Sequence, residues 1–166
     1  MAARAERDAA KGEWDMADPA AVGEVGESFA VPIERGKIRE FARATYSANP
    51  DYLDRSDAPV PPTFLTTIFF WADGQADPWP RVRLDQQRGL HAEQEYEFFG
   101  PPPRAGQRLT GRSRIVDVYQ KQGRRGGTMT FAVMETDFTD ETGRLVARAR
   151  LTGVEAAAPA KAEVRS

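Results

Sequence analysis

Residues 44–54 read ATYSANPDYLD, a serine, two tyrosines and two aspartates gathered around an Asn49-Pro50 turn. Ser47 stands just ahead of the turn and Tyr52 just behind it, as in a loop that offers reactive groups to a substrate or has ceased to. As a pair they are chemically weak. A serine hydroxyl cannot orient and charge a neighbouring base as a carboxylate does, and a tyrosine with its ordinary pKa of about 10 is a poor proton acceptor at neutral pH. The rest of the inventory is short. The 166 residues contain no cysteine and one histidine, His91, so disulfides, thiol nucleophiles and a Cys/His zinc site are excluded. His91 falls on the glutamate-rich side of an alternating segment, which favours an exposed or interfacial histidine paired with a carboxylate. A catalytic role would need a carboxylate within hydrogen-bond reach and a pocket.

The length suits one domain with a single core. Charged side chains make up 29% of the chain, the formal net charge is −2 and the two signs are interspersed, which argues against nucleic acid as the main partner. The longest apolar run, FLTTIFFWA from Phe64 to Ala72, is broken by two threonines and is too short for a membrane span. The opening MAARAERDAAKGEW carries acids and no apolar centre, unlike a secretory signal. A reducing cytoplasm is the expected location.

The elements that must hold these residues follow from periodicity. In ERGKIREFARAT, Ile38, Phe41, Ala42 and Thr45 share one stripe and the charges lie elsewhere, predicting a helix over 34–46 that Asn49-Pro50 stops. PVPP at 59–62 forbids regular structure and Thr63 is a candidate N-cap. Phe64 to Trp71 is expected as a short, deeply buried helix, with a buried strand as the rival assignment. ADGQADPWPR reads as a loop. From Gly89 the period changes: Leu90, Ala92, Gln94, Tyr96 and Phe98 fall on one side of a strand, and His91, Glu93, Glu95 and Glu97 on the other. RLTGRSRIVDVYQK, TMTFAVMETDFTD and RLVARARLTGV supply further strands, joined at QGRRGG and DETG. Helices followed by long strands in a meander make an α+β fold in which the helices cover the apolar face of an antiparallel sheet. The flanks lack a sustained period. Residues 1–26 are expected as a flexible tail, with a short helix over Arg4 to Trp14 docking on a partner; 27–155 as the domain; and 156–166 as a tail or linker.

Taken together, VPIERGKIREFARATYSANPDYLD, APVPPTF and the stretch from RGLHAEQEYEFF to RLTGVE resemble the N-terminal, FAS1-like dehydratase branch of the MaoC-like hydratases, over roughly Phe29 to Glu155. The later half is the more specific, through LHxEQEYEF, PxRAGxxLTGRSR and DVYxKxGxxGGTMTF. The resemblance implies a single hot-dog domain, a curved antiparallel sheet wrapped around a short central helix. It also implies a chemistry. Active members carry Asp-x-Asn-Pro-x-His after the first helix; the Asp and His hold a water, the His acting as general base or acid at the β-carbon of an enoyl thioester while backbone amides polarise its carbonyl. With that Asn-Pro laid on Asn49-Pro50, Ser47 takes the Asp place and Tyr52 the His place. Both catalytic positions are substituted.

What the resemblance implies further is a subunit in a hetero-oligomer, a dimer or dimer of dimers (heterotetramer), beside a dyad-bearing MaoC-like hydratase chain. The two would share a continuous sheet and act on a long or bulky acyl-CoA, such as a fatty or steroid side-chain thioester, in lipid metabolism or steroid degradation. On this reading no residue here is catalytic, coenzyme A enters as part of the substrate, and no cofactor, metal or membrane partner is expected. The shortened central helix, about two turns at about 1.5 Å per residue, would leave room for the acyl group. Tyr52, Phe64, Ile68 and Trp71 are the candidate acyl contacts, with core packing the alternative for the aromatic cluster. Lys121, Arg124 and Arg125 offer cations to the phosphates of coenzyme A, with Arg112 and Arg114 adding positive potential, or else form a plain solvated turn. The glutamate-rich strand face and Arg144, Arg148 and Arg150 read either as half of a polar interface or as an ordinary solvated face. Two rival functions stand beside this one: a self-sufficient hot-dog hydratase or thioesterase using a carboxylate such as Asp54 or Glu93, and a scaffold module for a neighbouring enzyme.

Overall fold

The frame of the chain, in a computed structural model describing residues 17–72, 74–123 and 127–156, is one five-stranded antiparallel sheet. Its strands are β1 (Phe29–Pro32), β2 (Gly89–Phe98), β3 (Arg108–Gln122), β4 (Thr128–Thr139) and β5 (Leu145–Ala156), in the order β1-β3-β4-β5-β2. β3, β4 and β5 form the meander that their turn residues predict. At DETG the Asp140 carboxylate accepts from the N–H groups of Thr142 and Arg144, and Gly143 supplies the left-handed residue at φ 81°. β2 departs from the expected meander, pairing with β5 rather than β3, so β1 and β2 become the two edges. Alternation tells which face a strand buries, not which neighbour it takes.

β1 has no sequence signal of its own, being four residues ending in proline. Its place is set by Phe29, whose ring lies so close over Gly111 that a Cβ there would stand 2.5 Å from it. Register shifts at His91/Glu93 in β2 and Ile115/Asp117 in β3 mark bulges, which bend and twist a sheet.

Ala132, Met134, Thr136 and Phe138 of β4 are buried on the inner face, where the helices pack. Helix α1 (Arg35–Ala44) presents Ile38 and Ala42 to that core, and Phe41 meets Phe64 edge-on with ring centroids 5.6 Å apart. Asn49-Pro50 stops α1 as expected but also starts a second short helix, α2 (Pro50–Leu53). The expected central helix is a 3-10 helix, Phe64–Phe70. It is not buried throughout: Phe64, Leu65 and Ile68 are, but Phe69 is 61% and Phe70 77% exposed. At about three residues per turn successive side chains point about 120° apart, so only one stripe can face the core. The ADGQADPWPR loop contains a further 3-10 turn, Trp79–Val82.

The N-terminal stretch needs a correction as well. Residues 1–16, including the helix expected over Arg4 to Trp14, lie outside the described residues, but 17–26 pack as part of the fold. Ala17 and Ala21 are buried with Val82, Ile115, Ala132 and Met134. The amides of Asp18, Gly23 and Gly26 donate to the carbonyls of Val82, Ile115 and Ser113 at 2.8, 2.9 and 2.9 Å. Small residues make such contacts without leaving a hydrophobic period to read. β5 runs through Ala156, and 157–166 lie outside the described residues. Among the described residues no helix is long and apolar enough to cross a membrane.

Candidate functional site

The loop after α1 is shaped by its backbone. The amide of Ser47 reaches back to the carbonyl of Ala42 at 2.8 Å and that of Tyr46 to Arg43 at 3.0 Å, the paired bonds of a Schellman motif. Its left-handed position is held by Tyr46 at φ 56°, where glycine is usual, and the Tyr46 side chain is 95% exposed. Asn49 then caps α2, its Oδ1 accepting from the Asp51 amide at 3.0 Å, with Pro50 at the first helical position. Arg35 closes the loop from α1 by donating to the carbonyls of Leu53 and Arg55.

The side chains of Ser47 and Tyr52 contribute little to that frame. Ser47 Oγ accepts from the Asn49 amide at 3.4 Å, and Tyr52 packs half-buried against the main core. No hydrogen bond joins them. Of the nearby carboxylates, Asp57 is gripped by Arg55 at 2.8 and 3.0 Å and by Arg104 at 3.0 Å. The Arg55 hydrogen bond, against a smaller opposing effect of burial, holds the Asp57 carboxyl below the usual range. Asp51 lies 3.9 Å from Arg55. Asp54, His91 and Glu93 are exposed, and none makes a side-chain hydrogen bond or ion pair with another described residue. His91 therefore lacks the carboxylate partner expected of it, since the β2 bulge takes it out of step with the glutamates beyond. No base oriented by an acid is assembled here among the described residues.

The four candidate acyl contacts do come together. Phe64 and Ile68 belong to one core cluster, and Tyr52 and Trp71 pack against it. Phe64 is fully buried, a core residue rather than an accessible wall. Ile68 borders a cavity of about 10 Å³ with Phe69, Tyr96, Met134 and Leu151, room for about one water. That cavity, bounded by described residues, is too small for an acyl group. Tyr96 is the polar group that the sequence reading passed over, although its inward place on an alternating strand was a usable signal. Its hydroxyl is buried without a hydrogen bond. Burial pushes its pKa up, with the Thr66 hydroxyl near enough to offset part of the effect.

A cleft of about 190 Å³ lies between Trp79, Leu84, Leu90, His91 and Leu151. Another, of about 390 Å³, is bounded by Val25, Ser28, Arg112, Arg114 and Thr139. Lys121 sits 5.0 and 5.5 Å above the rings of Tyr119 and Phe131, which stack at 5.1 Å. Phe131 alternates with the inward Ala132, so Lys121 is on the outer face. Arg124 and Arg125 lie outside the described residues.

The outer face carries an ordered set of charges. Arg114, Glu135 and Arg150 are cross-strand neighbours, as are Arg112, Asp137 and Arg148. Glu135 is buried and accepts from Arg114 at 2.6 Å and from Arg150. Burial alone would raise its carboxyl, but the hydrogen bonds from Arg150 and Arg114 and the charge of Arg148 outweigh it and hold the group below the usual range. Asp137 accepts from Arg148 at 2.6 Å and from Arg114 at 3.2 Å. Arg148 and Arg150 of β5 thus belong to an intramolecular network, and Arg144, just before β5, pairs with Asp140 at 3.1 Å.

A family model for the FAS1-like dehydratase domain region matches residues 20–149. A UPF0336 protein of Streptomyces griseus subsp. griseus is 36% identical over 128 residues, 72% of this chain and 81% of that one. A MaoC-like dehydratase structure superposes with a TM-score of 0.68 at 23% identity, over 82% of this chain and 42% of that one. A chain of the C-terminally truncated HadBC (3R-hydroxyacyl-ACP dehydratase) complex from Mycobacterium tuberculosis does so at 0.62 and 23% identity, over 80% of this chain and 96% of that one. The structural likenesses establish the fold, and the family match takes in the Asn-Pro loop and nearly all of the sheet. With its five-stranded sheet, short central helix and Asn49-Pro50 loop, the chain belongs to the FAS1-like dehydratase-domain family and has the MaoC-like hot-dog fold.

Proposed function

We propose that this chain is a non-catalytic, substrate-accommodating subunit of a hetero-oligomeric MaoC-like enoyl-CoA hydratase, a 3-hydroxyacyl-thioester dehydratase acting on a long or bulky acyl-CoA. The loop carries the reading. Its shape is kept by Asn49, Pro50, Arg35 and main-chain bonds, while Ser47 and Tyr52 lack the groups to hold and activate a water. A dyad-bearing partner would supply the acid, the base and the polarising amides. The likeness to a chain of the HadBC complex supports a paired assembly, and the small size of the cavity beside Ile68 is in keeping with an acyl site completed between chains. On this reading Tyr52, Ile68 and Trp71 stand on the acyl side with Phe64 supporting them from the core, and Lys121, Arg124 and Arg125 serve the phosphates of coenzyme A.

The test is hydration of long-chain and steroid side-chain enoyl-CoA, followed as loss of the conjugated thioester absorbance. It is run with this chain alone, with a dyad-bearing MaoC-like chain alone, and with both. Activity confined to the mixture, abolished by changing the partner's Asp or His and shifted in substrate range by Tyr52→Ala, supports the proposal. Full activity from this chain alone overturns it.

A further inference from the structure

The two sheet edges are finished differently. β1 is four residues long and ends in Pro32, and beyond it Val25 bridges to Arg114 on the same flank of β3. β2 has ten residues and no proline, and one of its sides pairs with no strand among the described residues. An edge of that length is a template for another strand. Exposed apolar side chains flank it: Leu90 at its start, Phe99 just past its end, and Phe69, which borders the same small cavity as Gln94 and Tyr96 of β2.

The outward charges say what kind of strand fits. Read inward from the β2 edge, one row is Glu97, Arg148, Asp137, Arg112 and the next is Glu95, Arg150, Glu135, Arg114. Signs alternate from strand to strand, and within each strand these outward residues share one sign. Glu95 lies 3.7 Å from Arg150, Asp137 2.6 Å from Arg148, and Glu135 2.6 Å from Arg114. β2 ends the pattern on an acidic column. A strand added with Arg or Lys at its outward positions continues the alternation. A second copy cannot, because overlapping β2 strands with their inner faces aligned set Glu93, Glu95 and Glu97 against the same column. Like charges directly opposite disfavour pairing.

We propose that, where a shared sheet joins the two chains at the β2 edge, Glu93, Glu95 and Glu97 select a partner strand bearing arginine or lysine opposite them and exclude pairing with a second copy. The inference rests on the subunit reading and supplies the partner's chemistry.

The probes are copies of the full chain. One carries Glu93→Lys, Glu95→Lys and Glu97→Lys; another carries Gln at the same positions, which keeps the test open if lysines beside Arg148 and Arg150 prevent folding. Association is measured by sedimentation velocity and by energy transfer between labelled chains, at low and high salt. Wild type should bind the lysine copy about tenfold or more tightly than it binds itself, with the ratio falling toward unity as salt screens the charges. The glutamine copy should self-associate about tenfold more tightly than wild type, with little salt dependence. Equal affinities for the wild-type and lysine copies, or a glutamine copy no more associated than wild type, overturn the proposal. The readout is association, not turnover. A mixture that fails to hydrate while the charge dependence holds removes the subunit reading alone; hydration without charge dependence removes this one alone.

Discussion

The inner and outer faces of this sheet are held by opposite physics. Inside, Phe138, Ala147 and Ala149 pack with Phe64, Leu65 and Ile68, contacts that ignore sign and tolerate a range of shapes. Outside, Arg114, Glu135, Arg150, Asp137 and Arg148 interlock by charge, each strand's column of one sign lying against a column of the other. Apolar burial therefore supplies most of the stability, and the charges favour which strands lie side by side.

The comparison is broken most severely from the inside. Phe64→Ala should cost about 3–5 kcal/mol, read from urea unfolding of the full chain, because the side chain is wholly buried and touches Phe41 edge-on. A loss below about 1 kcal/mol would mean that the inner face is not the main store of stability. Glu135→Gln should cost less, about 2 kcal/mol, since it leaves Arg114, Arg148 and Arg150 without their shared carboxylate but those arginines are partly solvated. Its cost should shrink in high salt, whereas that of Phe64→Ala should not.

Acid sharpens the same contrast. Glu135 is depressed from 4.5, and Asp140 from 3.8 to about 2, the latter chiefly by the Thr142 hydrogen bond, with burial opposing it and Arg144 assisting. A carboxyl lowered in the folded state stabilises above its unfolded pKa and loses that contribution as pH falls through the folded value. The urea midpoint should therefore drop between about pH 4.5 and 2, with a shallower slope in Glu135→Gln and an unaltered one in Phe64→Ala. Tyr46→Gly should raise stability by about 0.5–1 kcal/mol, by relieving the left-handed residue at φ 56°. Lys37→Ala, which removes an exposed pair with Glu40 at 3.2 Å, should change stability by less than about 0.5 kcal/mol in the same unfolding measurement.

How much of this was readable beforehand differs between the elements. α1 and the long strands were plain, because Ile38, Ala42 and the alternating residues of β3 to β5 write their burial as a period. β1 was not, since Phe29–Pro32 is too short to show one and is placed by a contact with Gly111 far along the chain. Residues 17–26 were misread as tail because alanine and glycine pack through smallness, and the exposure of Phe69 and Phe70 because composition does not reveal a 3-10 turn. The weak pair at Ser47 and Tyr52 was visible in the residue types alone. The pairing of Glu135 with three arginines was not, since it joins β3, β4 and β5 across a register that only the folded sheet defines.

The Asn49-Pro50 loop keeps its outline through an asparagine cap, a proline, a guanidinium from α1 and main-chain bonds to the carbonyls of Ala42 and Arg43, none of them a side chain at 47 or 52. Outline and reactivity are consequently inherited separately. The side chains at 47 and 52 can change while the silhouette such a loop offers a binding neighbour stays constant. Selection on assembly alone would then suffice to preserve the turn.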